Sequence, residues 1–125
     1  MKWFIAKITY QIICGEGTHT PQFDEQIRLI SASNSQHALE KAHEIGMAGA
    51  ETFKNTSQKL VQWKFINVEE LYQLDEMIDG AELFSRIHEP ANADWFIKMI
   101  SRKAKSIRRQ VYAPLMTDGA AIMQK

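Results

Sequence analysis

The chain has 125 residues, of which 45% are hydrophobic and 24% are charged, and its formal net charge is zero. This is enough for one hydrophobic core, and no apolar run approaches the roughly 20 residues of a membrane-spanning helix, so a transmembrane protein is excluded. The single cysteine, Cys14, permits no internal disulfide, and we expect a protein of the reducing cytoplasm.

The first third of the chain predicts a β-hairpin. Apolar residues of the first strand recur at every second position, namely Phe4, Ala6, Ile8, Tyr10, Ile12 and Cys14. A period of two is typical of a half-buried strand. The segment GEGTHTPQ, residues 15–22, supplies glycine and proline for a reversal, and a second strand alternates through Phe23, Ile27 and Leu29.

The period then changes to that of an amphipathic helix. Its apolar face consists of Ala38, Leu39, Ala42 and Ile45. Ser35 is the predicted N-cap, and Gly46 or Gly49 is predicted to end the helix. We expect a loop after it, in which Phe53 folds back onto the core.

Residues 60–74, LVQWKFINVEELYQL, predict the longest strand because they are rich in β-branched and aromatic residues. Apolar positions are odd-numbered up to Phe65 and even-numbered from Ile66, which predicts a bulge or bend near Phe65. Residues 81–88, AELFSRIH, predict a fourth strand. The fold class is therefore α+β, with a small antiparallel sheet in the order β-β-α-β-β covered by one helix.

A second helix follows Pro90 and is strongly basic. Residues 1–90 contain eight Lys and Arg against thirteen Asp and Glu, a net charge of −5, whereas residues 91–125 contain seven against two, a net charge of +5. Asn92 is the predicted N-cap, and the helix should end at or before Pro114. We therefore predict an α+β domain over residues 1–90 and a basic amphipathic helix with a loosely ordered tail of about ten residues over 91–125.

The β-β-α-β-β part resembles a known family. The matching segments are KWFIAK, FDEQIRLISASNSQHALEKAHEIG, FKN, VQWKFINVEELYQL and DGAELFSRI, which together span residues 2 to about 88. They are similar to an uncharacterised bacterial family labelled domain of unknown function 4288. The resemblance implies a compact domain built around a small antiparallel sheet, and it implies no activity. Residues 91–125 lie outside it.

Two faces of the second helix carry the candidate binding residues. At about 100° per residue, one stripe is apolar and consists of Phe96, Ile100, Ala104, Ile107 and Val111. The roughly opposite stripe consists of Lys98, Arg102, Lys105 and Arg109, with Trp95 at its border. Burying the large apolar residues would contribute about 6–12 kcal/mol as an upper bound. An exposed ion pair contributes only about 0.2–1 kcal/mol, so apolar burial should decide what the helix contacts.

These features favour a non-catalytic protein-interaction or oligomerisation module. Its predicted contacts are Trp95, Phe96, Ile100 and Ile107, and the expected partner is a second copy in a dimer, or another protein. The alternative is a nucleic-acid-binding accessory protein that contacts phosphates through Lys98, Arg102, Lys105 and Arg109. An anionic membrane surface would suit the same amphipathic pattern.

An enzyme or ligand binder is the third interpretation. His37, Glu40 and Glu44 project from one helix face at i, i+3 and i+7, and His19 would supply a fourth metal ligand. A solvated helix face explains the same residues more simply, so we predict neither a metal nor a cofactor. Cys14 continues the apolar alternation of its strand, which predicts a buried and inert thiol.

Overall fold

The structure is a computed structural model that describes residues 1–113. Its elements in chain order are β1 (Lys2–Cys14), β2 (Gln22–Ala32), α1 (Ser35–Ala48), β3 (Glu51–Lys54), β4 (Leu60–Gln73) and α2 (Ala93–Tyr112). The four strands form one antiparallel sheet in the order β2-β1-β4-β3, and α1 packs on one face of it. The predicted α+β class and the small antiparallel sheet are confirmed, and the order β-β-α-β-β matches, although one of the two strands after α1 differs from the prediction.

The predicted hairpin is formed by β1 and β2. Their register pairs Lys2 with Ala32 and Ile12 with Gln22 without interruption. The even-numbered residues of β1 that face α1 are buried, namely Phe4, Ala6, Ile8 and Tyr10. Because directly opposite residues of antiparallel strands share a face, the odd-numbered residues of both strands lie on the second face of the sheet, which we call the open face.

Helix α1 begins one residue earlier than predicted. Asn34, not Ser35, is the N-cap, and its Oδ1 accepts a hydrogen bond from the amide of His37 at 2.8 Å. The residues that α1 buries are small, namely Ala38, Ala42 and Gly46. Gly49 is the C-cap, one of the two predicted ends. Small side chains bring the helix backbone close to the sheet.

The C-terminal half of α1 is held against two aromatic residues. A Cβ at Gly46 would overlap the ring of Phe65 in β4, so only glycine fits at this position. The hydroxyl of Tyr10 in β1 donates a 2.7 Å hydrogen bond to the carbonyl of Gly46. Burial raises the pKa of Tyr10, an effect that the positive charge of Arg28 opposes in part. The phenol is therefore a neutral hydrogen-bond donor over the physiological range.

Strand β4 contains the predicted irregularity and a second one that was not predicted. Thr9 pairs with Asn67 and Tyr10 with Phe65, so Ile66 is the extra residue, as expected near Phe65. Lys7 pairs with Glu70 and Ile8 with Val68, so Glu69 is extra as well. The second bulge brings Leu71 rather than Tyr72 to the α1 face, opposite Ala6.

Two segments differ from the prediction. Residues 51–54, predicted as loop, form the short strand β3 against residues 60–63 of β4. Phe53 lies in this strand and is exposed, so the expectation that it folds back onto the core is wrong. Residues 81–88, predicted as a strand, form neither strand nor helix. Here Phe84 packs edge-on against the ring of Tyr72 at 5.6 Å, so the segment contacts the sheet through a side chain rather than through backbone pairing.

The described chain divides into two compact units, Met1–Ser85 and a second one that begins at Arg86. The first contains the sheet, α1 and the core. The second contains α2, which ends at Tyr112, before Pro114 as predicted. The expectation of a loosely ordered tail concerns residues outside the described range. Among residues 1–113, neither helix is long and apolar enough to cross a membrane.

Candidate interaction surface on helix α2

Helix α2 is well defined at both ends by its own residues. Asn92 is the N-cap, as predicted, and its Oδ1 accepts a hydrogen bond from the amide of Trp95 at 2.9 Å. Asp94 lies in the first turn and Arg109 in the last, and both charges suit the helix dipole. At the C-terminus the amide of Ala113 donates to the carbonyl of Arg109 at 3.0 Å. The capping and the charge placement therefore favour helix formation here without help from a core.

The apolar stripe of α2 is exposed. No residue of Ala93–Tyr112 is buried. In this stripe Ile100 is 49% and Ile107 47% exposed, while Phe96 and Val111 are half-buried. Trp95, at the border of the cationic stripe, is 60% exposed. Large apolar side chains that recur on one helix face and remain exposed in the single chain are typical of a surface that contacts another molecule.

The exposed apolar surface of α2 is wider than the predicted stripe. Ile97, at the edge of the stripe, is 59% exposed, and Met99 is half-buried. The ring of Phe96 lies 5.5 Å from that of His88, in the segment before the helix, so Phe96 is less accessible than its neighbours. A wider apolar arc could have been found by counting every large apolar residue within about 100° of the stripe.

The cationic stripe is also exposed. Lys98, Arg102, Lys105 and Arg109 all face solvent, and none of them makes an ion pair with another residue of 1–113. Arg108, which lies to one side, stacks over the ring of Tyr112 at 5.4 Å from the ring centre. Four unpaired cations on one face are available to a polyanion or to an acidic protein surface.

A second charged cluster lies on the open face of the sheet. The ammonium of Lys7 is 3.0 Å from a carboxylate oxygen of Glu25 and 3.1 Å from one of Glu70. Glu70 also accepts from the hydroxyl of Tyr72, and Glu69 from that of Thr9, each at 2.7 Å. The hydrogen bonds that the ammonium donates to Glu25 and then to Glu70 raise the pKa of Lys7. These bonds join β1, β2 and β4, so the cluster fixes side chains on this face of the sheet.

An open cavity of about 760 Å³ lies at the β1–β2 loop, lined in part by Cys14, His19 and Lys59. The amide of Cys14 donates to Nε2 of His19 at 3.0 Å, so the ring proton is on Nδ1, which donates to the carbonyl of Thr20 at 2.8 Å. His19 thus holds the loop together. Cys14 is a free thiol and is half-buried rather than buried, which corrects the prediction.

The residues of the third interpretation are not brought together. Among residues 1–113, no group of three or more His, Cys, Asp or Glu side chains is arranged to hold a metal ion. Nδ1 of His37 instead lies 3.3 Å from both the amide and the hydroxyl of Ser33, next to the start of α1. Glu40 and Glu44 are exposed on the solvent face of the helix.

Comparison with known proteins identifies a family for the sheet and α1, but the matched region does not include α2. The family model described as Domain of unknown function (DUF4288) matches residues 3–85, so the match ends before α2 begins. No curated protein matches the chain, and no solved structure matches it. The match covers more than half of the 125 residues and confirms the resemblance inferred from the sequence. The chain belongs to the DUF4288 family.

Proposed function

We propose that the protein is a non-catalytic interaction module that associates with a second copy of itself through the apolar stripe of α2. The observation that supports this is the exposure of Trp95, Ile100 and Ile107 on a helix in which no residue is fully buried. With Phe96, these residues are the proposed contacts. The proposal includes a cytoplasmic location, where the free thiol of Cys14 stays reduced.

The magnitudes favour apolar contact over charge as the source of affinity. Removing a large apolar side chain from water contributes about 1.5–3 kcal/mol, and several such residues lie along α2. An exposed ion pair contributes about 0.2–1 kcal/mol and weakens as salt increases. Self-association through α2 should therefore depend little on salt. The cations Lys98, Arg102, Lys105 and Arg109 lie on the roughly opposite stripe and keep the helix soluble.

The test replaces two residues of the stripe in the full chain. The double variant Ile100→Asp with Ile107→Asp is compared with the wild type by light-scattering mass, at low and high salt. The matched control, Ser101→Asp with Ser106→Asp, adds the same charge to exposed positions of α2 away from the stripe. We expect fewer chains per particle for the isoleucine variant and no change for the serine variant. An unchanged mass for the isoleucine variant would contradict the proposal.

A second candidate function is binding of nucleic acid. It is supported by the four exposed cations on α2, which have no ion-pair partner within residues 1–113. If each neutralises one phosphate, the logarithm of the binding constant should fall with the logarithm of salt concentration with a slope of about −3.6. The test is a mobility shift with DNA and RNA. Reversing the charges of Lys98, Arg102, Lys105 and Arg109 should abolish binding, whereas a shift that persists would exclude these residues as the site.

A further inference from the structure

We propose that two copies of the chain pair along the free edge of β2, in an antiparallel register centred on Gln26, so that their two four-stranded sheets become one continuous sheet. This surface lies in the first compact unit and uses no residue of α2. It is therefore independent of the function proposed above, and either one can fail without the other.

The edge of β2 is long and only lightly protected. Among residues 1–113, β2 pairs with β1 and with no other strand, so one side of its 11 residues is left without strand partners. The strand contains neither proline nor lysine, the residues by which exposed edges are commonly protected. One contact covers its end, where Nζ of Lys41 donates to the carbonyl of Ser31 at 2.5 Å. The rest of the edge is available for pairing.

The hydrogen bonds of β1 show which backbone groups point outward. The amide of Leu74 donates to the carbonyl of Trp3 at 2.8 Å, so the backbone groups of Trp3 are directed towards the β4 side. Ser31 lies opposite Trp3 and is therefore not bonded to it, which directs its own groups to the free edge. The direction alternates along the strand. The backbone amides and carbonyls of Phe23, Glu25, Ile27 and Leu29 therefore also point to the free edge of β2.

A charged ladder runs along the α1 face of the same edge. The side chain of Gln26 connects its two neighbours: Nε2 donates to Oδ2 of Asp24 at 2.7 Å. Oε1 of Gln26 accepts from Nη2 of Arg28 at 2.8 Å and from Nε at 3.2 Å. The ladder is negative at Asp24 and positive at Arg28. Two such ladders placed antiparallel match head to tail, so the edge is complementary in charge to a second copy of itself.

This complementarity selects one register. With the two-fold axis at Gln26, Asp24 lies opposite Arg28 of the second copy, and the pair occurs twice. These are pairs without mutual backbone hydrogen bonds, in which side chains approach most closely. An axis at Glu25 would instead place two carboxylates opposite each other. An axis at Ile27 would place Asp24 opposite Ile30 and Arg28 opposite Gln26, so neither Asp24–Arg28 pair would form.

The same register brings exposed apolar residues together on the open face. Phe23 is 57% exposed, Ile27 60% and Leu29 49%. Pairing about Gln26 places Phe23 opposite Leu29 of the second copy, twice. Between these pairs Ile27 lies opposite Glu25 of the second copy, whose carboxylate is already paired with Lys7 of its own chain at 3.0 Å. Aromatic and aliphatic cross-strand pairs stabilise a sheet, so both faces of the new pairing contribute.

The experiment uses charge reversal and complementation in the full chain. Asp24→Arg and Arg28→Asp each replace both attractions by repulsions, so each variant alone should self-associate at least about tenfold more weakly than the wild type by sedimentation or light scattering. An equimolar mixture of the two variants places opposite charges across both positions and should recover the wild-type association. Lys64→Asp, the same change on an exposed residue of β4, is the matched control and should have no effect.

A second measurement uses the wild type and does not depend on how well the variants fold. In hydrogen exchange, the amides of Glu25 and Ile27 should be protected at high concentration and exchange faster on dilution, while those of Gln26 and Arg28, directed towards β1, stay protected at both. Unchanged association of both variants, no recovery in the mixture of folded variants, or concentration-independent exchange would overturn the proposal. Repeating the series with Ile100→Asp and Ile107→Asp separates this contact from any contact through α2.

Discussion

Helix α1 and helix α2 are both amphipathic and both start at an asparagine N-cap, yet only α1 buries side chains. The residues that α1 buries are two alanines and a glycine, which let its backbone approach the sheet closely. The stripe of α2 consists of Ala104 and four larger residues, of which Ile100 and Ile107 are about half exposed and none is fully buried. The comparison shows that the size of the residues on the apolar face, more than the strength of the pattern, distinguishes a helix packed closely in its own core from one available to a partner.

The largest expected difference between the two regions is in the effect of truncating an apolar side chain to alanine. Phe4 is 1% exposed beneath α1. The substitution Phe4→Ala should lower the free energy of unfolding by about 3–5 kcal/mol. Ile100→Ala in α2 should cost less than about 1 kcal/mol, since surface substitutions have small effects. Denaturant titration of both variants at low protein concentration measures the contrast. A similar loss for both would show that the stripe is already packed within one chain, and the comparison would fail.

An intermediate effect is expected from exchanging glycine and alanine. Gly46→Ala in α1 should destabilise by about 1–3 kcal/mol because the new Cβ overlaps Phe65, even though alanine favours a helix by about 1 kcal/mol. The reciprocal control is Ala104→Gly in α2, which should lose about 1 kcal/mol of helix propensity and show as lower helical content in circular dichroism. If Gly46→Ala stabilises the protein, α1 does not pack as closely as we describe.

The smallest effect concerns the hydrogen bond that fixes the end of α1. Tyr10→Phe removes the bond to the Gly46 carbonyl and should cost about 1 kcal/mol at neutral pH. Because the pKa of folded Tyr10 is raised above its ordinary value of 10.0, its contribution is complete below that pH and is lost as pH rises through the folded pKa. Stability should therefore fall more steeply for the wild type than for the variant above about pH 10.

Denaturation midpoints from pH 8 upward test this sign. The pKa of Lys7 is also raised, so its ion pairs weaken in the same alkaline direction. Lys7 is present in both proteins, and its effect cancels in the difference between them. Equal slopes for the wild type and Tyr10→Phe would mean that burial does not hold the phenol neutral.

Most elements could be predicted because their signals are local. The alternation of β1, the cap of α2 at Asn92 and the first bulge of β4 each follow from residues next to one another in the chain. The second bulge at Glu69 could not be found in this way, because Ile66, Val68 and Tyr72 fit one unbroken alternation. Strand β3 was missed for a similar reason: its pairing with residues 60–63 organises a segment whose own composition predicts a loop.

The candidate surfaces were predictable to different extents. The stripes of α2 follow from helical geometry alone, and α2 forms where the sequence predicts it. The ion pairs of Lys7 with Glu25 and Glu70 join three strand positions far apart in sequence, and only the register of the sheet brings them together. The same holds for the Tyr10 contact to Gly46, which is why sequence analysis named neither.

The sequence alone determined the class of the fold, the family, the position of each helix and the opposite charges of the two segments, because these depend on composition and on periods of a few residues. Only the tertiary structure decided which apolar side chains are buried, which edge of the sheet is free and which charges meet. Those outcomes depend on contacts between residues that are distant in sequence. The period of apolar residues in one element does not say which other element it packs against or pairs with.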